Sequence, residues 1–184
     1  MKKFPTLPFL LVVLCQFLVL GGMIAKRVHL LNTGKIVRLQ CQPVDPRSLL
    51  SGDYVVLNYT ISRFSEKQLR QLNHDHENLK MMLHGEIYVA LSPVPDAQYW
   101  EAVAVSQHRQ TLQAAYPVVI RGIIRPNRRP YQIRYGVEHY FVPQFEGRQI
   151  EQEISNVTVE VAVAESGESA IKRLFINDQE VEFY

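Results

Sequence analysis

The chain has 184 residues, of which 47% are apolar and 21% charged, with a formal net charge of +2. That length suits one folded core, and the apolar-to-charged balance excludes a disordered chain. So small a net charge gives no electrostatic case for nucleic acid, and no RNA- or DNA-binding motif is present.

The first element is PFLLVVLCQFLVLGGMIA, Pro8 to Ala25, uncharged and with Gln16 as its one strongly polar side chain. Its eighteen residues, at about 1.5 Å rise each, reach roughly 27 Å and can cross a bilayer core. Lys2 and Lys3 precede the run; Lys26 and Arg27 follow it. A cleavable signal wants small residues at the last and third-last positions before the cut. A cut after Ala25 puts Met23 third from last, and a cut after Gly22 puts Leu20 there. A lipoprotein signal wants a small residue before Cys15, where Leu14 stands. An uncleaved anchor is therefore expected: residues 1–7 a cytoplasmic tail, 8–25 the transmembrane segment, 26–34 a linker, and 35–184 an extracytoplasmic domain. The flanking charges nearly balance, so the orientation rests on the short basic tail staying inside.

Cys15 lies in the apolar run and Cys41 in IVRLQC, a poor placement for a disulfide. On a strand Cys41 shares a face with Val37 and Leu39, opposite Arg38 and Gln40, which predicts a buried thiol.

After the anchor the pattern is of period two. Residues 35–42 form a first strand; in 53–62, Val55, Leu57, Tyr59 and Ile61 share one face and Tyr54, Val56, Asn58 and Thr60 the other. Further strands are predicted over 85–92, 99–106, 116–125, 132–136 and 138–143. VTVEVAVA and SAIKRLFI, joined by Glu165-Ser166-Gly167-Glu168, make a hairpin that Asn177-Asp178-Gln179 turns into a closing strand. Ser65 can cap a helix over SEKQLRQL, and 147–154 is a second short helix. The expected fold is mainly β, barrel-like or an open antiparallel sheet with a C-terminal meander, plus one or two short helices, preceded by one transmembrane helix.

One segment, PVDPRSLLSGDYVVLNY, carries a corner. Asp45 followed by Pro46 reads as a helix N-cap and first position. Residues 47–50 make about one turn, Gly52 ends it in the left-handed region, and Asp53 bonds back to free amides before the strand begins at Tyr54. Each residue has a local structural task, so Asp45, Arg47 and Asp53 need no catalytic one.

Gly52-Asp53-Tyr54 followed by Leu57 and Tyr59 resembles the signature of the GDYXXLXY family of bacterial membrane-anchored proteins. The anchor, TGKIVRLQ, PVDPRSLL, YGVEHYFVP with its following EGRQIE, and the hairpin around SAIKRLFI fit that family in the same order; the Ser65–His84 insert fits least. A second signature falls on Tyr135, Gly136, Glu138, Tyr140, Phe141, Val142 and Pro143, while His139 stands where the family more often has another residue. The resemblance implies no particular activity. It does imply a partner, a multi-spanning protein of the same membrane.

The chemical alternatives are weaker. Signal-peptidase-like serine proteases share a Gly-Asp corner, but the residue eight before Gly52 is Val44 rather than serine. Arg121 in VVIRGIIRPNRR stands where a lysine base would, and arginine stays protonated. Ser48 and Ser51 lie in the turn, and G-x-S-x-G is absent. Glu138 and Glu151 could pair as catalytic carboxylates only if the fold joins them. His74-Asp75-His76-Glu77, with His84, lacks the rigid spacing of a structural zinc site and reads as a solvated loop. Arg121, Arg125, Arg128, Arg129 and Arg134 read as a basic hairpin tip, able to meet anionic headgroups or an acidic partner. The function expected is a non-catalytic accessory or interaction domain without metal or cofactor. Its contact surface draws on Tyr54, Tyr135, Glu138, Tyr140 and Phe141 with Arg121, Arg125, Arg128 and Arg129. The alternative is a cell-envelope enzyme, or a degenerate signal-peptidase-like β domain, using Asp53, Glu138 or His139.

Overall fold

The uncharged N-terminal run contains no interior proline, since Pro8 lies in the first turn, where its missing N–H breaks no helical bond. The computed structural model describes residues 6–43, 54–74, 85–95, 97–125, 129–143 and 147–182, and makes this run the front of one unbroken helix, α1 (Thr6–Thr33). Among the described residues it is the one helix long and apolar enough to cross a membrane. Residues 26–33, expected as a linker, are helical because the domain gives them a partner. Leu30 is buried against it, and the Gly34 N–H closes the last turn on the Leu30 carbonyl at 2.9 Å.

The elements that follow are β1 (Lys35–Gln40), β2 (Tyr54–Val56), β3 (Arg63–Phe64), α2 (Glu66–Leu72), β4 (Gly85–Pro93), β5 (Trp100–Ser106) and α3 (Arg109–Ala115). Then come β6 (Val118–Arg125), β7 (Tyr131–Arg134), β8 (His139–Phe141), α4 (Gly147–Gln152), β9 (Val157–Val163), β10 (Ser169–Ile176) and β11 (Gln179–Glu180). One sheet has the order β1-β9-β10-β11, a second β3-β7-β6-β4-β5, and β2 pairs with β8 alone. Together they form an open, curled half-barrel, with every strand pair antiparallel. The C-terminal meander has the expected order.

Alternation sets the core. Val37 and Leu39 of β1, Val157, Val159 and Val161 of β9 and Ile87, Val89 and Leu91 of β4 point into one cluster, each aliphatic side chain contributing about 1.5–3 kcal/mol. Cys41 joins them, as its shared face with Val37 and Leu39 predicted. On the outer face of the second sheet, Leu112 of α3 packs over Ala90, Ala104 and Val119. Helix α3 was not anticipated. Helix α2 was, and Ser65 caps it as a capping box: the Gln68 N–H donates to Ser65 Oγ at 3.3 Å, and the Ser65 N–H to Gln68 Oε1 at 2.8 Å.

The strand predicted over 53–62 is shorter than expected. Its ladder with β8 ends at Val56, Tyr59 keeps a single bridge to Cys41, and Thr60–Ser62 is a 3₁₀ turn. Its inward set nonetheless holds, since Val55, Leu57, Tyr59 and Ile61 are all buried.

The packing is least forgiving at Gly122 of β6, where a Cβ would sit 2.4 Å from Ile133 Cγ2 and 3.1 Å from the Tyr135 ring. Gly122→Ala is expected to destabilise the domain by about 1–3 kcal/mol through overpacking. In thermal unfolding this is a fall in Tm of several degrees; an unchanged Tm would contradict the packing described.

Candidate functional site

Strand β2 lies along β8 with Tyr54 opposite Phe141, Val55 opposite Tyr140 and Val56 opposite His139. Beyond Val56 the pairing continues as single bonds. The Leu57 N–H donates to the Glu138 carbonyl at 2.8 Å, and the buried Tyr59 hydroxyl donates to the Val137 carbonyl. The reach is reciprocal, for the buried Tyr135 hydroxyl donates to the Ile61 carbonyl. Two segments more than seventy residues apart are thereby joined by two crossing phenol–carbonyl bonds.

Glu138 is buried beside this clasp. Its carboxylate turns back to accept from the Tyr135 N–H, and from the Gly136 N–H at 3.0 Å. Gly136 has φ +79°, the left-handed region that lets the chain fold over its own carboxylate. Ser169 Oγ donates to the Tyr135 carbonyl at 3.0 Å, tying the corner to β10.

Burial raises the Tyr59 phenol well above its usual range, with Cys41 and Glu138 adding to the effect; burial and then Glu138 raise Tyr135 likewise. Burial pushes the Cys41 thiol up to about 12. A thiol so placed stays protonated at neutral pH and is a poor nucleophile.

The outer side of the same strands is different. Tyr54 is partly exposed, its ring 5.2 Å from that of His139 and 6.2 Å from that of Phe141, both edge-on. Phe141 is 77% exposed. The signature segments therefore have a closed polar interior and an aromatic exterior.

Of the residues expected at a contact surface, Phe141 is exposed, and Tyr54 and Tyr140 are half-buried. Tyr135 and Glu138 are both buried, because the Gly136 turn directs the Glu138 side chain inward. The described arginines do not form one patch. Arg121 meets Glu86 at 3.3 Å and Glu168 at 3.6 Å, Arg125 is exposed further along β6, and Arg129 meets Glu66 of α2 at 3.6 Å. Asp45, Pro46, Arg47, Gly52, Asp53 and Arg128 lie outside the described residues, as do Asp75, His76, Glu77 and His84. Among the described residues, no three His, Cys, Asp or Glu side chains cluster as metal ligands would. Sequence reasoning missed Ser169, which only the sheet order brings to the corner, and Lys26 and Arg27, which it placed in a linker.

A long apolar helix leading into an open β half-barrel, clasped through two tyrosine-bearing segments, defines the class of protein. Residues 16–174 match the GDYXXLXY protein family, a span that includes part of α1 and both described signature segments, and the chain belongs to that family. No curated protein and no solved structure matches it.

Tyr59→Phe and Tyr135→Phe each strand a buried carbonyl and are expected to cost about 1–3 kcal/mol in urea unfolding of the full-length protein in detergent. Wild-type stability in both would exclude the clasp.

These groups also predict an alkaline limit. Each has a folded pKa above its unfolded one, so its contribution is complete below the unfolded pKa and is lost as pH rises toward the folded value. Stability should begin to fall near pH 9, the ordinary value of the Cys41 thiol, and fall further above pH 10 as the phenols join. Phenolate absorbance should show Tyr59 and Tyr135 ionising only with unfolding, and a Tyr59→Phe/Tyr135→Phe double variant should lose that late step.

Proposed function

We propose that the protein is a membrane-anchored, non-catalytic interaction domain. It faces the extracytoplasmic side of a bacterial cytoplasmic membrane, and its partner is a multi-spanning protein of that membrane. The observation that carries this reading is the aromatic exterior of β2 and β8, with Phe141 77% exposed on strands whose inner side completes the core. An outward-facing Tyr–His–Phe cluster on a strand pair has the composition of an interface centre, where aromatic anchors supply most of the binding energy. The side of the membrane follows from the short basic tail of Lys2 and Lys3, which stays on the cytoplasmic side.

An envelope enzyme working through Glu138 would need that carboxylate free to exchange a proton with substrate. Two backbone N–H groups hold it instead, at the turn they stabilise. Its neighbour His139 sits on the opposite, exposed side, against Tyr54.

Mild detergent extraction of the tagged full-length protein is expected to recover a multi-spanning membrane protein in fixed stoichiometry. Phe141→Ala and Tyr54→Ala should each reduce its recovery about tenfold or more, as the loss of an aromatic anchor does, with Tm nearly unchanged for the exposed Phe141. Recovery of the wild-type protein alone, folded and without a membrane partner, would overturn the reading.

A further inference from the structure

Where α1 leaves its apolar stretch, it does not stand clear of the domain. Met23, Lys26 and Arg27 line one wall of a cleft of about 440 Å³, whose other wall is formed by Arg121 of β6 and the Glu168–Ser169 corner. Three contacts fix the geometry: Lys26 Nζ meets Glu168 Oε1 at 2.8 Å, Arg27 Nη1 donates to the Ser169 carbonyl at 3.0 Å, and Leu30 is buried a turn further on. The β9–β10 turn is held in its turn by β6, since the Arg121 N–H donates to the Gly167 carbonyl at 2.8 Å.

The level of the cleft along the helix is also set. Met23 belongs to the apolar run, and Lys26 is the first charge after it. Met23 to Arg27 is four residues, roughly 6 Å of rise, so a cleft touching both spans the boundary between hydrocarbon and water when α1 is in a bilayer. That boundary is where phospholipid phosphodiesters lie.

The charge suits such an anion. Lys26, Arg27 and Arg121 face one carboxylate in the cleft, Glu168; Glu86 touches Arg121 from beside it at 3.3 Å, and even with it the group carries a net +1. Glu168 is held ionised, the Lys26 hydrogen bond and then the charges of Lys26 and Arg121 keeping it below the usual carboxylate range. It bridges Lys26 and Arg121 and leaves the group net positive. The three donors of a lysine and five of an arginine exceed the contacts described, so each cation can serve a second acceptor.

We infer that this cleft binds the phosphodiester of a membrane phospholipid, with Lys26, Arg27 and Arg121 as donors and the glycerol end directed toward Met23. The site rests on α1 being an anchor but needs no protein partner, so it stands or falls separately from the aromatic contact.

The test uses the full-length protein in non-ionic detergent, titrated with phosphatidylglycerol and phosphatidylcholine and read by native mass spectrometry. Inorganic phosphate and glycerol phosphate serve as soluble competitors. The wild type is expected to bind one phospholipid well above the micelle background, and neither soluble phosphate should displace it at equal concentration. Lys26→Gln/Arg121→Gln should weaken binding roughly thirtyfold, as expected for removing two charges near a headgroup. Arg121→Gln alone, on a partly exposed side chain, should weaken it about fivefold while keeping the wild-type Tm. Glu168→Gln should tighten binding, because it removes the internal competitor. The inference is overturned by equal lipid binding in Arg121→Gln, by weakened binding in Glu168→Gln (which would make the cluster only a brace for the helix), or by displacement with inorganic phosphate, which would make the cleft a soluble-anion site.

Discussion

The Tyr59 hydroxyl on the Val137 carbonyl, answered by the Tyr135 hydroxyl on the Ile61 carbonyl, is the constraint on which the half-barrel depends. The strand that should run from Tyr54 to Ser62 abandons its ladder after Val56, inside the protein, where a carbonyl without a donor costs about 1–3 kcal/mol. The Tyr135 phenol supplies such a donor to the Ile61 carbonyl, and the Tyr59 phenol supplies one to the Val137 carbonyl on the facing segment. Both rings fill the core as well, a combination Phe cannot offer. Each bond spans more than seventy residues of sequence, so the loop-closure entropy is large and is recovered only when both sides are packed. Glu138 then ties the Tyr135–Gly136 turn that aims the second phenol.

That arrangement explains why the signature residues look chemical in sequence and are structural in the fold. A buried carboxylate, two tyrosines and a cysteine within reach of one another would suit a catalytic centre. Here the side-chain hydrogen bonds of Tyr59, Tyr135 and Glu138 described above all go to backbone groups, and burial keeps the phenols and the Cys41 thiol protonated. What remains available on these strands is the outward set, Tyr54, His139 and Phe141.

Much of this was legible because period-two alternation is a local signal. It placed Val37, Leu39 and Cys41 on one face, and put Val55, Leu57, Tyr59 and Ile61 inward even where the strand itself gives way. The Ser65 cap was legible for the same reason, its partner Gln68 being three residues away. The failures are non-local. Alternation puts Val137 and Glu138 on opposite faces, yet both are buried, because Gly136 turns the chain just before them. Helix α3 has seven residues and one buried side chain, Leu112, too few for a period of 3.6 to show. The arginines are close in sequence, but Arg121 and Arg125 are separated by four residues of extended strand, about 13 Å, and Arg129 lies against Glu66 of α2. The basic cleft could not be read at all, since Lys26 and Arg121 meet only because a hairpin from the far end of the chain lies between them.

The continuity of α1 into the domain bears on what the helix would do as an anchor. A flexible linker would leave the half-barrel free to tumble above the bilayer, and any partner in the membrane would have to meet the full cost of orienting it. A helix that stays intact to Thr33, with Leu30 buried and Arg27 and Lys26 bonded to the β9–β10 corner, removes much of that freedom before any encounter. With α1 in a bilayer, as proposed, the face carrying Tyr54 and Phe141 would be held at a set angle to the membrane plane, and a modest aromatic patch would serve where a larger one would otherwise be needed. A phospholipid bound at Lys26, Arg27 and Arg121 would act in the same direction. It fastens the domain to the surface at a second point beside the helix, so that rotation about the helix axis is restrained as well as tilt.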